Sequence, residues 1–102
     1  IIGAGTYADN RSCAVSATGH GEYFIRHTVA RDICARIQFG GADLRAATEQ
    51  VVKGELLDAG GEGGVIAVDK TGETVLIFNT SGMYRASINA RGQKTVAIYG
   101  DE

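Results

Sequence analysis

The sequence has no proline and only two cysteines among its 102 residues, whereas it contains 15 glycines. So few cysteines exclude a disulfide-rich scaffold, and neither a CxxC pair nor a histidine at zinc-ligand spacing accompanies them. We therefore predict that Cys13 and Cys34 are buried free thiols, as is typical of a reducing cytoplasm. The balance of glycine over proline, with a first residue that is not methionine, indicates a cleaved or truncated piece of a longer product.

Neither charge nor hydrophobicity is concentrated in one part of the sequence. The ten Lys and Arg are scattered among twelve Asp and Glu, so we expect no basic surface for nucleic acid or an anionic membrane. No apolar run approaches the roughly 20 residues of a membrane-spanning helix, and no signal-peptide pattern opens the chain. With 44% hydrophobic residues and a net charge of −2, the sequence predicts one small globular domain.

The apolar pattern up to residue 40 predicts a hairpin followed by a helix. Residues 11–17 alternate like a strand, and a turn at residues 9–10 allows them to pair with residues 3–8. From Glu22 onward the apolar period becomes helical, and we predict one continuous helix that the glycines at 40–41 end. Its apolar stripe is Ile25, Val29, Ile33 and Ile37.

The rest of the chain predicts a second helix and then about four strands. Asp43 is a good N-cap for that helix, and the glycines at 60–61 end it. Residues 65–68 are a continuous apolar run of the kind that is buried on both faces of a sheet, and a turn at residues 69–72 follows. The further strand candidates are residues 74–78, 83–88 and 94–99. This order predicts an α+β fold that forms one half of a layered sandwich.

Two glycine-rich segments imitate nucleotide-binding motifs. Residues 3–8 match G-x-G-x-x-A, and Glu22 lies about 20 residues further on, where a ribose-binding acid is expected. That site needs a helix directly after the glycines, whereas residues 9–17 predict a turn and a strand, so a dinucleotide-binding module is the weaker alternative. Residues 60–64 lack the Lys-Ser/Thr of a phosphate loop and precede a strand, which favours a flexible connection.

Other catalytic or metal-binding groups are sparse. His20 and His27 are the two histidines, and their spacing matches no site with three or four metal ligands. No serine lies in a G-x-S-x-G elbow. The two cysteines lie on apolar faces of the predicted elements, where a core role outweighs a nucleophilic one. We therefore predict no metal site and no cofactor.

The segment best suited to chemistry is Thr-Gly-His-Gly-Glu at residues 18–22, between a strand and a helix. Free first-turn amides lie there, and Gly19 and Gly21 allow a ligand to approach the backbone closely. A threonine hydroxyl beside such amides suits a carboxylate or a developing oxyanion. The alternative is structural: Thr18 is only an N-cap, and the two glycines are only turn residues.

Four distinctive blocks follow one another through nearly the whole chain. They are Ile-Gly-Ala-Gly-Thr-Tyr-Ala at 2–8, Ala-Thr-Gly-His-Gly-Glu-Tyr-Phe-Ile-Arg at 17–26, Gly-Gly-Val-Ile-Ala-Val-Asp at 63–69 and Phe-Asn-Thr-Ser-Gly-Met-Tyr-Arg at 78–85. In these blocks the chain resembles the β subunit of plant-type asparaginases and isoaspartyl peptidases, which are N-terminal-nucleophile hydrolases. The resemblance covers the C-terminal part of that subunit.

The resemblance implies an αββα sandwich in an (αβ)₂ assembly, produced by self-cleavage of an inactive precursor. Cleavage frees an N-terminal threonine whose hydroxyl attacks the side-chain amide and whose α-amine acts as the base. Members of the family hydrolyse L-asparagine, and many also hydrolyse β-aspartyl dipeptides. By the same resemblance, Thr18 and Gly19 match the oxyanion-hole donors. Thr18, Gly19, His20 and Gly21 match the substrate-binding stretch.

The chain departs from the family because it lacks the nucleophile. In the family, the catalytic threonine and a substrate-anchoring Arg and Asp precede the region that resembles Ile1. Thr6, Thr18 and Thr28 cannot replace it, since each α-nitrogen is part of a peptide bond. We therefore expect the chain alone to be inactive and to need an α subunit and the N-terminal part of the β subunit. The alternative is a non-catalytic remnant or structural fragment that only packs against a partner.

Overall fold

The computed structural model describes residues 1–100, so the predicted domain 1–102 includes two residues outside the described range. The helices are α1 (Gly21–Arg26), α2 (Val29–Gly40), α3 (Leu44–Glu49) and a π-helix (Gln50–Leu56). The strands are β1 (Thr6–Ala8), β2 (Cys13–Gly19), β3 (Gly63–Asp69), β4 (Thr74–Phe78), β5 (Gly82–Ile88) and β6 (Lys94–Tyr99). None of the helices in the described range is long and apolar enough to cross a membrane.

The first four strands form one antiparallel sheet in the order β1-β2-β3-β4. β1 and β2 make the first predicted hairpin, with Tyr7 opposite Val15, and β3 and β4 make the second, with Ala67 opposite Val75. The helices cover one face of this sheet. The core between them includes Val15, Val29, Ile33, Leu44, Val51, Leu56, Val65 and Val75. Removal of these apolar side chains from water is the main force that holds the helices on the sheet.

The opposite face of the same sheet is open. Ile66 is 53% exposed and Val68 is 39% exposed, although Val65 and Ala67 on the alternate positions are buried. The described residues therefore bury only one face of residues 65–68, and the other face is left exposed, as expected of one half of a sandwich. An apolar run indicates that both faces are apolar, but it cannot show whether the chain itself covers both. The α+β class is confirmed as a mixture of helices and antiparallel strands, and the full αββα sandwich stays a prediction.

The single long helix predicted from Glu22 onward is wrong, because the segment forms two helices, α1 and α2. Thr28, which precedes α2, has a φ of 44°, a left-handed conformation that interrupts the helical hydrogen bonds. As a result Ile25 is 47% exposed, whereas Val29 and Ile33 are fully buried. Regular apolar spacing cannot reveal one residue that leaves the helical conformation.

The second helical region begins and ends as predicted. The Asp43 carboxylate accepts a hydrogen bond from the Ala46 N–H at 2.7 Å, which is the N-cap arrangement. The region ends at the predicted glycines, where Gly60 has a φ of 91°. Between them the helix widens into the π-helix Gln50–Leu56, a feature that apolar spacing does not predict.

Cys13 and Cys34 form a disulfide bond, with their Cα atoms 5.4 Å apart. The prediction of two free thiols is therefore wrong. The number of cysteines in a sequence does not show how far apart they lie in the fold. Cys13 lies on the side of β2 that faces the helices, and α2 packs there with Cys34 fully buried. The inference of a reducing cytoplasm rested on free thiols and loses that support.

β5 and β6 pair with each other in a separate two-stranded sheet. Asn89 closes the turn between them, because its Oδ1 accepts hydrogen bonds from the N–H groups of Arg91 and Gln93 at 2.9 and 3.0 Å. Asp69 closes the β3–β4 turn in the same way. Both hairpins therefore end in a short side chain that caps its own turn. The first turn lies where the sequence predicts it, and the second lies between the two last predicted strands.

Candidate active site

The segment predicted to carry the chemistry occupies the end of β2 and the start of α1. Thr18 lies opposite Gly64, and Gly19 lies opposite Gly63, in the β2–β3 pair. His20, and not Thr18, is the N-cap residue of α1. The structural alternative for Thr18 as an N-cap is therefore wrong, because Thr18 is a strand residue.

The Thr18 side chain lies on the open face of the sheet. Cys13 and Val15 face the helices, and the alternation of a strand places Ser16 and Thr18 on the other face. Thr18 is exposed, and its hydroxyl makes no hydrogen bond within residues 1–100. The hydroxyl is thus available as a donor to a ligand.

Gly19 lies at a point where two backbones touch. Its φ is 139°, and an added Cβ would lie 2.3 Å from the Glu62 carbonyl oxygen and 2.6 Å from the Gly63 Cα. Both atoms belong to the backbone, so no side-chain rotation relieves the contact. Glycine is therefore required at this position.

The backbone hydrogen bonds around Gly19 show where its N–H points. The His20 N–H donates to the Glu62 carbonyl at 2.9 Å, on the β3 side of the strand. The Ala17 N–H donates to the Gly5 carbonyl at 2.9 Å, on the β1 side. Because successive N–H groups of a strand point in opposite directions, the Gly19 N–H points to the β1 side, past the first residue of β1.

His20 joins the segment to the glycine-rich loop before β3. Its Nδ1 accepts a hydrogen bond from the Glu62 N–H at 3.2 Å. The ring also lies 6.0 Å from the ring of Tyr23, centroid to centroid. With its own N–H bonded to the Glu62 carbonyl, His20 is anchored to this loop from two sides.

Gly21 begins α1 and differs from Gly19 in its surroundings. An added Cβ at Gly21 would meet nothing within 4 Å. The N–H groups of Tyr23 and Phe24 donate to the His20 carbonyl at 3.0 and 3.3 Å, which closes the first turn. Packing therefore does not require glycine at residue 21, and its bare backbone faces outward.

A surface cleft of about 310 Å³ brings three of the four predicted residues together. It is lined by Ile1, Gly5, Ala17, Thr18, Gly19, Gly21, Phe24 and Ile25. His20 is not part of the lining. The cleft therefore combines one hydroxyl and bare glycine backbone with an apolar wall, which suits a small polar molecule that is bound by hydrogen bonds.

The other sites weighed from the sequence find no support. The dinucleotide-binding alternative required a helix at residues 9–17, where the structure has a turn and β2. Within the described residues no three potential metal ligands converge. The carboxyl group whose pKa departs most from its ordinary value is that of Asp9, at the end of β1 away from the cleft. Hydrogen bonds from the Arg11 side chain hold this pKa well below its ordinary value. That carboxylate belongs to the β1–β2 turn.

The importance of the glycines at residues 60–64 is not evident from the sequence. They do connect a helix to a strand, but an added Cβ at Gly63 would lie 2.3 Å from the Thr18 carbonyl oxygen and 2.9 Å from the Phe24 ring. Glycine is needed there for close contact rather than for flexibility. The available signal was the presence of two glycine-rich segments at the ends of strands that pair.

Comparison with known proteins identifies relatives of this chain. The family model described as Asparaginase matches residues 1–98. The chain is 49% identical to the isoaspartyl peptidase of Escherichia coli (strain K12) over 102 residues, 100% of this chain and 32% of the relative. It is 50% identical to the isoaspartyl peptidase of Salmonella typhimurium over 99 residues, 97% of this chain and 32% of the relative. It is 37% identical to the isoaspartyl peptidase/L-asparaginase of Xenopus laevis over 103 residues, 99% of this chain and 32% of the relative. The chain thus spans about a third of the length of these relatives.

Proposed function

Since the chain belongs to the asparaginase family, we propose that it is the β-subunit portion of an amidohydrolase that acts on L-asparagine, isoaspartyl dipeptides or both. The observation that carries this proposal is the pair of hydrogen-bond donors at the end of β2. Thr18 and Gly19 both line the cleft, beside Gly21. A hydroxyl next to a backbone amide suits the negative oxygen that forms when an amide carbonyl is attacked.

In the proposed reaction, an N-terminal threonine hydroxyl adds to the side-chain amide carbon of the substrate, and the threonine α-amine takes the proton. The carbonyl oxygen becomes an oxyanion, to which the Thr18 hydroxyl and the Gly19 N–H donate. When the tetrahedral intermediate collapses, the C–N bond breaks and the leaving nitrogen takes the proton. The product is ammonia from asparagine, or the second residue of an isoaspartyl dipeptide. Water then hydrolyses the acyl-enzyme to aspartate.

The proposed substrate-binding stretch is formed by Thr18, Gly19, His20 and Gly21. Gly21 lines the cleft without a side chain, so the aspartyl part of the substrate can contact the backbone there. His20 acts from outside the cleft, because its two hydrogen bonds to Glu62 hold the segment in place. No cofactor takes part in this reaction.

The nucleophile, the α subunit and the N-terminal part of the β subunit are proposed to complete the site in an (αβ)₂ assembly. The open face of the sheet supports this proposal, since Ile66 and Val68 are exposed there. On the β5–β6 hairpin, Tyr84 is 85% exposed and Val96 is 80% exposed. Large apolar surfaces are seldom left in contact with water, so a further layer of protein is expected on this side.

A non-catalytic piece that only packs against a partner is the alternative. The same open apolar face favours it, because packing needs no nucleophile. The coding sequence immediately upstream of Ile1 separates the two. An in-frame Thr-Val-Gly-Ala segment preceded by an α-like region supports the hydrolase, and a start codon close to Ile1 supports the non-catalytic piece.

A chimera tests the proposed function directly. In it, residues 1–102 replace the matching third of the E. coli isoaspartyl peptidase, and the release of ammonia from L-asparagine and of the free amino acid from an isoaspartyl dipeptide is measured. We expect self-cleavage and turnover of at least one substrate by the chimera, and none by the isolated chain. A chimera that folds and cleaves itself but hydrolyses neither substrate would contradict the proposal, as would ammonia release by the isolated chain.

A further inference from the structure

Asn79, which follows β4 directly, forms four hydrogen bonds that tie three segments together. Its Oδ1 accepts from the Gly63 N–H at 2.9 Å, and its own N–H donates to the Gly63 carbonyl at 3.0 Å. Its Nδ2 donates to the Gly61 carbonyl at 2.9 Å and to the Val52 carbonyl of the π-helix at 3.0 Å. The side chain thus uses its acceptor and both of its donor hydrogens, a combination that a carboxamide supplies.

The backbone that Asn79 holds is the backbone that supports the candidate site. Gly63 lies opposite Gly19, and an added Cβ at Gly19 would lie only 2.6 Å from the Gly63 Cα. An added Cβ at Gly63 would lie 2.3 Å from the Thr18 carbonyl oxygen. Because no side chain lies between these backbones, a displacement of Gly63 is passed on to both residues of the donor pair.

Gly61 provides a second route from Asn79 to the site. An added Cβ at Gly61 would lie 2.8 Å from side-chain atoms of Tyr23 and of Leu56. Tyr23 belongs to α1, the helix that begins at Gly21. The bond from Asn79 to the Gly61 carbonyl therefore also fixes the surface on which α1 rests.

We infer that Asn79 is a positioning residue that holds the oxyanion donors in place through Gly63, without touching the substrate. The inference rests on the proposed function and deepens it, because it concerns support for the same donor pair. Donors for an oxyanion act mainly in the transition state. Loss of the Asn79 side chain should therefore lower kcat while it leaves KM nearly unchanged.

The test compares the complete protein that carries this chain with its Asn79→Ala and Asn79→Asp variants. Asn79→Ala removes three hydrogen bonds, and since a misplacement of about 1 Å can cost about 10²-fold in rate, we expect kcat to fall roughly 10- to 100-fold. Asn79→Asp keeps the acceptor for Gly63 but loses both donors when it is ionised. Protonation restores one donor, so the ratio of its kcat to the wild-type kcat should rise as the pH falls.

Thr48→Val is the matched control. The buried Thr48 hydroxyl donates to the Leu44 carbonyl at 2.7 Å within α3, outside the cleft. Its loss should lower the melting temperature and leave kcat unchanged, as expected of a purely structural hydrogen bond.

An Asn79→Ala enzyme with a lowered melting temperature and wild-type kcat per folded molecule would overturn the inference. If Asn79→Ala does not fold, the pH profile of Asn79→Asp decides, and a ratio that does not vary with pH overturns it. A wild-type complete protein without amidohydrolase activity is a distinguishable result, because it would overturn the proposed function itself and this inference with it.

Discussion

The two ends of the β2–β3 pair are built in opposite ways. At one end Cys13 lies opposite Asp69, and both side chains are engaged, in the disulfide to Cys34 and in the turn that follows β3. At the other end Gly19 lies opposite Gly63, and the two backbones touch without any side chain between them. The first end is closed by its own side chains. The second end is supported by the hydrogen bonds of Asn79 to Gly63, and the donors of Thr18 and Gly19 remain open to the cleft. The stabilising side chains and the proposed chemistry therefore lie at opposite ends of the same strands.

The largest effect is expected from a side chain added at the open end. Gly19→Ala places a Cβ 2.3 Å from the Glu62 carbonyl oxygen, at a φ of 139° that strains alanine. Both donors move, so kcat/KM of the complete protein should fall by more than the roughly 10²–10³-fold typical of one lost donor. Steady-state kinetics with an isoaspartyl dipeptide measures this loss.

Gly72→Ala is the control at the closed end. Gly72 also has a positive φ, of 89°, but an added Cβ there meets nothing within 4 Å. The Gly72→Ala substitution should lower the free energy of unfolding by about 1–2 kcal/mol through backbone strain and leave kcat/KM unchanged. Equal kinetic effects of the two substitutions would show that the two ends of the β2–β3 pair do not differ in this way.

Thr18→Val should have the next largest effect. Valine nearly preserves the shape of threonine, so the change removes a donor with little effect on packing, and kcat should fall roughly 10²–10³-fold. The melting temperature should stay nearly constant, since Thr18 is an exposed strand residue and not an N-cap. Thr6→Val, exposed on the same face and outside the cleft, should leave kcat unchanged. A near-normal kcat for Thr18→Val would leave the oxyanion assignment without support.

Removal of the disulfide should affect stability and spare catalysis. A double Cys13→Ala and Cys34→Ala variant should lose about 3 kcal/mol of unfolding free energy, as is typical for a bridge across a loop of this length. Its kcat should match that of the wild type, because the bridge lies at the closed end. Denaturant unfolding measures the first quantity. Two titratable thiols in the unfolded, unreduced protein would show that the bridge is absent.

The smallest effect is expected from Asp43→Ala, which removes the N-cap of α3. The cost should be about 1 kcal/mol of stability, with no change in kcat or KM. A melting curve and a single kinetic assay check it. A loss of activity without a change in melting temperature would mean that α3 influences the site, which the comparison between the ends does not predict.

Features that depend on neighbours in sequence were predictable. The N-cap at Asp43 and the capped turns at Asp69 and Asn89 involve partners within four residues. The break at Thr28 was not predictable, because one left-handed residue leaves the apolar spacing unchanged. The disulfide was not predictable either, since it depends on how α2 lies across β2.

In the candidate site, the residues that line the cleft were predictable from the sequence, whereas the residues that support them were not. Thr18, Gly19 and Gly21 follow from a local pattern of hydroxyl and glycine between a strand and a helix. Gly63 and Asn79 support them through contacts between segments far apart in sequence. Such contacts depend on strand pairing, which a local pattern does not contain.

The most direct test of the account is a crystal structure of the complete protein with the product aspartate bound. We predict that one oxygen of the aspartate side-chain carboxylate, which occupies the place of the reacting carbonyl, lies about 2.7–3.1 Å from both the Thr18 Oγ1 and the Gly19 N. Aspartate bound in the active site with its side-chain carboxylate away from both atoms would contradict the account.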